Sequence, residues 1–238
     1  MIIHLLARAG ILARCRPSIW PPGAGSSRAG FGAALLLVSG FLELSENVAW
    51  RSGEEPGLER ADRAVLVAFA SVRRPLLTAA ALDLTALGSP LVLGLFTILL
   101  AWTLARFGRG RSAAVLVLAA ASAGAWTAVL KRIFERPRPD VVPRLVEVTG
   151  LSYPSGHSLG GAAVYVTAAL LVAARASGAR ERAGIMVIGV ALVVAIGMSR
   201  VYLGVHYPTD VLAGLSFGTA WALLLLATSA SLRAAASK

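Results

Sequence analysis

His206 stands four residues before Asp210 in the stretch SRVYLGVHYPTD, with Pro208 between them. Proline suits the first turn of a helix, where its missing N–H has no partner to lose. A helix that starts at Pro208 puts Asp210 in its first turn, within reach of one ring nitrogen of His206. A carboxylate so placed fixes the tautomer and leaves the other nitrogen free to attack, the arrangement of an oriented nucleophile. Taken alone, the pair is equally an interfacial His–Asp hydrogen bond without chemistry. Arg200, separated from His206 by five residues, closes the apolar run before it.

Two further stretches carry unusual polar groups. In LSYPSGHSLGG, Pro154-Ser155-Gly156-His157 precedes a long apolar segment. A helix N-terminus offers free N–H groups and positive dipole charge to an anion. Ser155 supplies a cap or a hydroxyl, and Gly156 lets backbone come close to a ligand. An ordinary serine cap with an incidental histidine is the plainer reading. In KRIFERPRPD, six residues separate Lys131 from Arg138, which is flanked by Pro137 and Pro139. Lysine and arginine at a membrane edge are commonly snorkelling anchors. A guanidinium on a stiffened backbone also suits a phosphate clamp. Glu135 lies within this stretch and is expected to face away from an anion.

The combination is more specific than its parts. The chain has three histidines, and two of them lie in these stretches. Lys131, Arg138 and Arg200 add three cations, and Asp210 adds a carboxylate. This inventory can hold a phosphate and break one of its ester or anhydride bonds. It lacks the cluster of Asp and Glu that Mg²⁺ favours.

The elements that must position these groups are membrane helices. Hydrophobic residues make up 57% of the 238, charged residues 15%, and mean hydropathy is +0.73. A soluble domain is about 45–50% apolar and about 25% charged. A span needs about 20 mostly apolar residues. Leu84–Leu104, Ser112–Leu130, Ser158–Ala174, Ala183–Met198 and Val211–Ser229 qualify, the fourth extending through Tyr202. Gly30–Val48 is favoured as a further span over an interfacial helix, although Glu43 and Glu46 lie near its end. From Leu58 the pattern turns amphipathic, which predicts an interfacial helix between the first two spans. The expected fold is all-α: a polytopic helical bundle with about six transmembrane helices. Residues 1–29 read as a cytoplasmic or interfacial tail, 30–231 as one membrane domain and 232–238 as a cytoplasmic tail.

Six spans put both termini on one side. The short connections RFGRGR and RASGARER each carry three arginines, and short basic loops stay in the cytoplasm. Arg8, Arg14, Arg16 and Arg28 in the N-terminal region agree, and the first three interrupt its apolar stretches too often for a secretory signal. All three polar stretches then fall on the opposite face. The net charge of +11 is explained by loop topology and phosphate binding better than by nucleic acid, because it is interleaved with apolar runs. Cys15 is the only cysteine, which excludes an intrachain disulfide and a cysteine-cluster metal site.

Lys131 with Arg138-Pro139, Pro154-Ser155-Gly156-His157, and Ser199-Arg200 with His206 and Asp210 together resemble the three-part signature of the type-2 phosphatidic acid phosphatase family. That family comprises the lipid phosphate phosphatases and shares its site with the vanadium haloperoxidases and glucose-6-phosphatase. Leu87-Gly88-Ser89-Pro90 also resembles the family. The resemblance implies that His206 is the nucleophile and forms a phosphohistidine, oriented by Asp210. It implies that His157 protonates the leaving group and then activates water. Lys131, Arg138, Ser155, Gly156 and Arg200 would bind the phosphoryl oxygens, with no metal or other cofactor. The expected protein is a bacterial inner-membrane phosphatase with its site facing the periplasm or exterior. The expected substrate is a lipid phosphate or diphosphate, with undecaprenyl diphosphate, phosphatidylglycerol phosphate and phosphatidic acid as candidates. A phosphotransferase using the same site is the alternative. An anion transporter fits less well, because the key charges sit at span ends. Neither oligomeric state nor lipid identity follows from the sequence.

Overall fold

The computed structural model describes residues 24–49 and 57–236. Arg8, Arg14, Cys15 and Arg16, in residues 1–23, lie outside the described residues, as do Arg51, Gly53 and Pro56, in residues 50–56. The helices are α1 (Ala24–Ala49), α2 (Gly57–Ser71), α3 (Pro75–Leu87), α4 (Pro90–Arg106), α5 (Gly110–Phe134), α6 (Gly156–Ala173), α7 (Ala179–Tyr202) and α8 (Pro208–Ala236). Five of them are long and apolar enough to cross a membrane, or six if α3 and α4 count as one bent span.

Proline sets the breaks. Pro75, Pro90 and Pro208 each open a helix, where their lack of an N–H is harmless. The residue before a proline is pushed out of the helical region. Arg74 and Ser89 are accordingly extended, and Ser89 Oγ caps α4 by accepting from the Val92 N–H at 3.3 Å. The apolar stretch expected as one span from Leu84 to Leu104 is therefore two helices that meet at 51°. For the same reason the amphipathic segment expected between the first two spans is also divided. Val72, Arg73 and Arg74 separate α2 from α3. The span expected at Gly30–Val48 lies within α1, whose segment Arg28–Glu46 has the length and hydropathy to cross. α8 continues as helix to Ala236.

α6 is the central helix. Its span is 67% buried, against 22–44% for the other four long helices. It contains one π-helical turn, Ala162–Val166. Leu93, Leu116, Val164, Tyr165, Ile196 and Leu226 form the core between α4, α5, α6, α7 and α8. A second cluster joins α1 to the site loops, with Phe41 packed on Phe134, Tyr153 and Phe217. Large apolar side chains such as Leu36, Leu91, Trp102 and Ile188 face outward, as a lipid-facing surface requires.

α8 approaches α6 through Gly214 and Gly218. A Cβ at 214 would stand 2.7 Å from the Ser155 carbonyl oxygen, and one at 218 would collide with the Leu159 carbonyl and stand 2.9 Å from Ala162 Cβ. Small residues four apart let membrane helices approach backbone to backbone. Gly218→Ala is therefore expected to destabilise the protein by about 1–3 kcal/mol, the usual cost of overpacking. Gly184→Ala, where a Cβ meets nothing within 4 Å, is expected to be neutral or stabilising. Thermal unfolding in detergent checks both.

Candidate active site

The functional groups gather where α5, α6, α7 and α8 begin or end. α5 stops at Glu135, whose left-handed backbone (φ 46°) turns its N–H back to the Lys131 carbonyl. Pro137 and Pro139 then keep the chain extended. Glu135 is exposed. Ser155 caps α6, its Oγ accepting from the Ser158 N–H at 3.5 Å and from Ser158 Oγ at 3.1 Å. The Ser155 N–H donates to the Asp210 carbonyl at 3.0 Å, tying the start of α6 to the first turn of α8. α7 ends in a turn at Gly204 (φ 76°), where a Cβ would also stand 2.8 Å from the Arg73 guanidinium. Arg73 donates to the carbonyls of Tyr202 and Pro143. That contact fixes the loop that delivers His206.

His206 is 2% exposed and Asp210 is fully buried. Asp210 Oδ2 lies 3.2 Å from His206 Nδ1, and Arg138 Nη1 lies 3.2 Å from His206 Nε2. A guanidinium only donates, so Nε2 must present its lone pair and Nδ1 must carry the proton. Burial lowers the pKa of His206 to about 4, opposed by its hydrogen bond to Asp210 and assisted by Arg138 and Arg200. The imidazole is thus neutral near pH 7, with its basic nitrogen aimed at the Arg138 guanidinium.

Of the expected anion-binding groups, Arg138 donates to the carbonyls of Gly150, Thr149 and Val205. Those contacts hold its guanidinium beside the imidazole. Lys131 donates to the Leu151 carbonyl. Arg200 is 4% exposed and donates to Thr85 Oγ1 at 2.7 Å, while its Nε is buried without a partner. An unsatisfied buried donor is costly unless a ligand completes it. His157 is partly buried, with the cations Arg200, Arg138 and Lys131 and the imidazole of His206 as its titratable neighbours. A Cβ on Gly88 would lie 3.1 Å from its ring, and one on Gly156 would lie 3.0 Å from Thr127 Cγ2. The structure thus brings Lys131, Arg138, Ser155, Gly156, His157, Arg200, His206 and Asp210 to one end of the bundle. A cavity of about 490 Å³ runs from His157 between α4, α5 and α6, walled by Gly88, Gly94, Ala120, Gly124 and Thr127. Among the described residues, no three His, Cys, Asp or Glu are grouped to hold a metal ion.

Several site groups escaped the sequence reading. Ser152 Oγ donates to Asp210 Oδ2 at 2.5 Å and lies 3.3 Å from His206 Nδ1. Arg136 donates to Asp210 Oδ1 at 2.7 Å. Thr85 holds Arg200, and Asp62 holds Arg136. Ser152 and Arg136 sit inside the quoted stretches, so their neighbours marked them. Thr85 and Asp62 carry no local mark.

Residues 112–233 match the model of the PAP2 superfamily. Phosphatidylglycerophosphatase B of Bacillus subtilis is 33% identical over 162 residues, covering 68% of this chain and 79% of the relative. Decaprenylphosphoryl-5-phosphoribose phosphatase of Mycobacterium tuberculosis is 36% identical over 168 residues, covering 67% and 88%. The crystal structure of a transmembrane PAP2-type phosphatidylglycerolphosphate phosphatase from Bacillus subtilis superposes with a TM-score of 0.73 at 29% identity, over 84% of this chain and 96% of that one. LpxE of Aquifex aeolicus gives 0.56 at 26% identity, over 68% and 93%. With more than half of its length matched by the family model and its helices arranged as in a solved member, the chain belongs to the PAP2 superfamily.

Proposed function

We propose that this protein hydrolyses a lipid phosphate or diphosphate through a phosphohistidine on His206. The observation that carries this reading is the fixed tautomer: Asp210 on Nδ1, Arg138 on Nε2. As substrate enters, Arg138 turns from the ring nitrogen to a phosphoryl oxygen. The Nε2 lone pair then forms an N–P bond while the bond from phosphorus to the leaving oxygen breaks. His157, which takes up a proton once the phosphate dianion offsets the surrounding cations, gives that proton to that oxygen. Neutral His157 next takes a proton from water, whose oxygen attacks phosphorus and breaks the N–P bond. Inorganic phosphate leaves and the neutral imidazole is restored. Lys131, Arg138, Arg200 and the Ser155–Gly156 turn neutralise the charge spread over the equatorial oxygens.

The lipid part of the reading rests on the apolar cavity beside His157, which can take the first carbons of a chain while the phosphate stays in the polar end. Preferred candidates are phosphatidylglycerol phosphate, phosphatidic acid and undecaprenyl diphosphate. Arg106, Arg109, Arg111, Arg175, Arg180 and Arg182 lie around the α4–α5 and α6–α7 turns, at the end of the bundle opposite the site. The positive-inside rule makes that end cytoplasmic, so the site faces outward from the inner membrane.

Phosphate release by detergent-purified protein from a panel of these lipids, with and without EDTA, tests the reading. Release that survives EDTA is expected. Release lost to EDTA would sink the assignment of charge neutralisation to Lys131, Arg138 and Arg200 alone. Transfer of the phosphoryl group to an added alcohol, with no free phosphate, would make the protein a phosphotransferase. His157→Gln is expected to slow hydrolysis of an alkyl phosphate by about 10²–10⁴, the range of general acid catalysis. It should slow an aryl phosphate with a good leaving group far less. Equal losses on both substrates would remove the acid role from His157.

A further inference from the structure

Asp62 lies on α2, outside the residues matched by the family model, and is 2% exposed. Both of its oxygens are engaged at the site. Oδ1 accepts the Thr209 N–H at 3.0 Å, and Oδ2 accepts from Thr209 Oγ1 at 2.5 Å and from Arg136 Nη2 at 2.9 Å. Arg136 in turn reaches Asp210 Oδ1 at 2.7 Å, donates to Thr209 Oγ1 at 2.7 Å and lies 4.0 Å above the Tyr207 ring. One guanidinium therefore bridges two buried carboxylates. Burial opposes its charge, but Asp210 and Asp62 outweigh that and keep its pKa above the ordinary value.

The charge count matters to the histidine. Asp210 paired with Arg136 alone would be neutral as a unit. It would then do little for the positive charge that His206 acquires when Nε2 bonds to phosphorus. With Asp62 the unit carries one net negative charge, aimed at Nδ1 through Asp210 Oδ2. Arg136 also occupies Oδ1, which leaves Oδ2 for His206, Ser152 and the Tyr207 N–H. Resting on the functional reading above, we infer that Asp62 is a positioning residue of the reaction. Through Arg136 it holds Asp210 in place and keeps the net charge behind His206 negative.

The test is the pH dependence of kcat/KM for wild type, Asp62→Asn and the double variant Asp62→Asn with Arg136→Gln, on purified monodisperse protein. The groups that face His206 are Asp210 and Ser152 at Nδ1, Arg138 at Nε2, and Arg200 and His157 beyond. All are unchanged in these variants. Asp62→Asn leaves the Asp210 unit neutral, so the acid limb should move down by about one pH unit, the order of one nearby charge. Its kcat should fall about tenfold with KM within about twofold. The double variant removes one charge of each sign and restores the net negative charge, so its limb should return to the wild-type position. A purely structural Asp62 would lower the active fraction without moving the limb. If Asp62→Asn does not yield folded protein, Asp62→Ser, which leaves room for water beside Arg136, should give the same downward shift. An unmoved limb in the single variant, or a double variant displaced as far as the single one, overturns the inference while the phosphatase reading stands. Wild-type protein that releases no phosphate from any lipid overturns both.

Discussion

His206→Ala should release no measurable phosphate from any lipid phosphate that the wild-type protein hydrolyses. Loss of a catalytic nucleophile costs about 10⁶ in kcat, which places the variant at background in an ordinary release assay. The geometry leaves no substitute. Among the described residues the only other histidine is His157, which sits on α6 among the same cations and is assigned to the leaving group. Ser152 is 0% exposed and its hydroxyl is committed to Asp210. The proposed covalent step gives a second, independent readout. Substrate labelled in its phosphate should leave label on wild-type protein after an alkaline quench, lost in acid, and none on His206→Ala. Label on the variant would move the nucleophile elsewhere. The pH dependence follows with its sign. Attack needs the unprotonated ring, and burial holds the folded pKa at about 4. His206 is therefore competent from neutral pH down to about pH 5, and its acid limb appears as pH falls through about 4. A limb near 6.5 would mean that the ring is hydrated and has lost its contact with Arg138.

The sequence showed one half of this site and hid the other for a physical reason. Lys131, Arg138, Ser155, His157, Arg200, His206 and Asp210 all lie at helix ends, where proline, glycine and caps write the local geometry into the sequence. Their spacing is fixed by turns of a few residues. Asp62 and Thr85 reach the same site from α2 and α3. They arrive there only because those helices pack on α7 and α8, and nothing in EPGLERADRA or LDLTALGSP distinguishes a buried carboxylate from a solvated one. The same limit explains the bent span. Hydropathy is continuous through Leu84–Leu104, but Ser89-Pro90 forces an extended residue and a new helix start. Backbone chemistry overrode the apolar pattern there. The π-helical turn in α6 has no sequence signature at all, since Ala162–Val166 reads as ordinary helix.

Asp210→Asn tests the orienting carboxylate, and its effect should be nearly as large as loss of the nucleophile. The side chain is fully buried and every donor around it is fixed: Arg136 on Oδ1, with Ser152, the Tyr207 N–H and His206 Nδ1 on Oδ2. An amide in this position has one oxygen and one NH₂ group. With the oxygen toward His206, the NH₂ faces the Arg136 guanidinium, donor against donor. With the amide reversed, the NH₂ faces Nδ1 and favours the tautomer with the proton on Nε2, which then meets Arg138. Neither orientation keeps both a basic Nε2 and a paired Arg136, and both lose the negative charge that would stabilise the proposed phosphorylated ring. The analogous change in a serine protease triad lowers kcat by about 10⁴, and a loss of that order is expected here. Phosphate binding should change little, because Lys131, Arg138 and Arg200 remain. Inhibition by inorganic phosphate or vanadate should thus stay within about fivefold of wild type, while kcat collapses. The split between the two is the decisive measurement. A loss of binding as large as the loss of kcat would show that Asp210 builds the anion site and does not orient the histidine. A kcat loss below about tenfold would show that Arg138 alone fixes the tautomer.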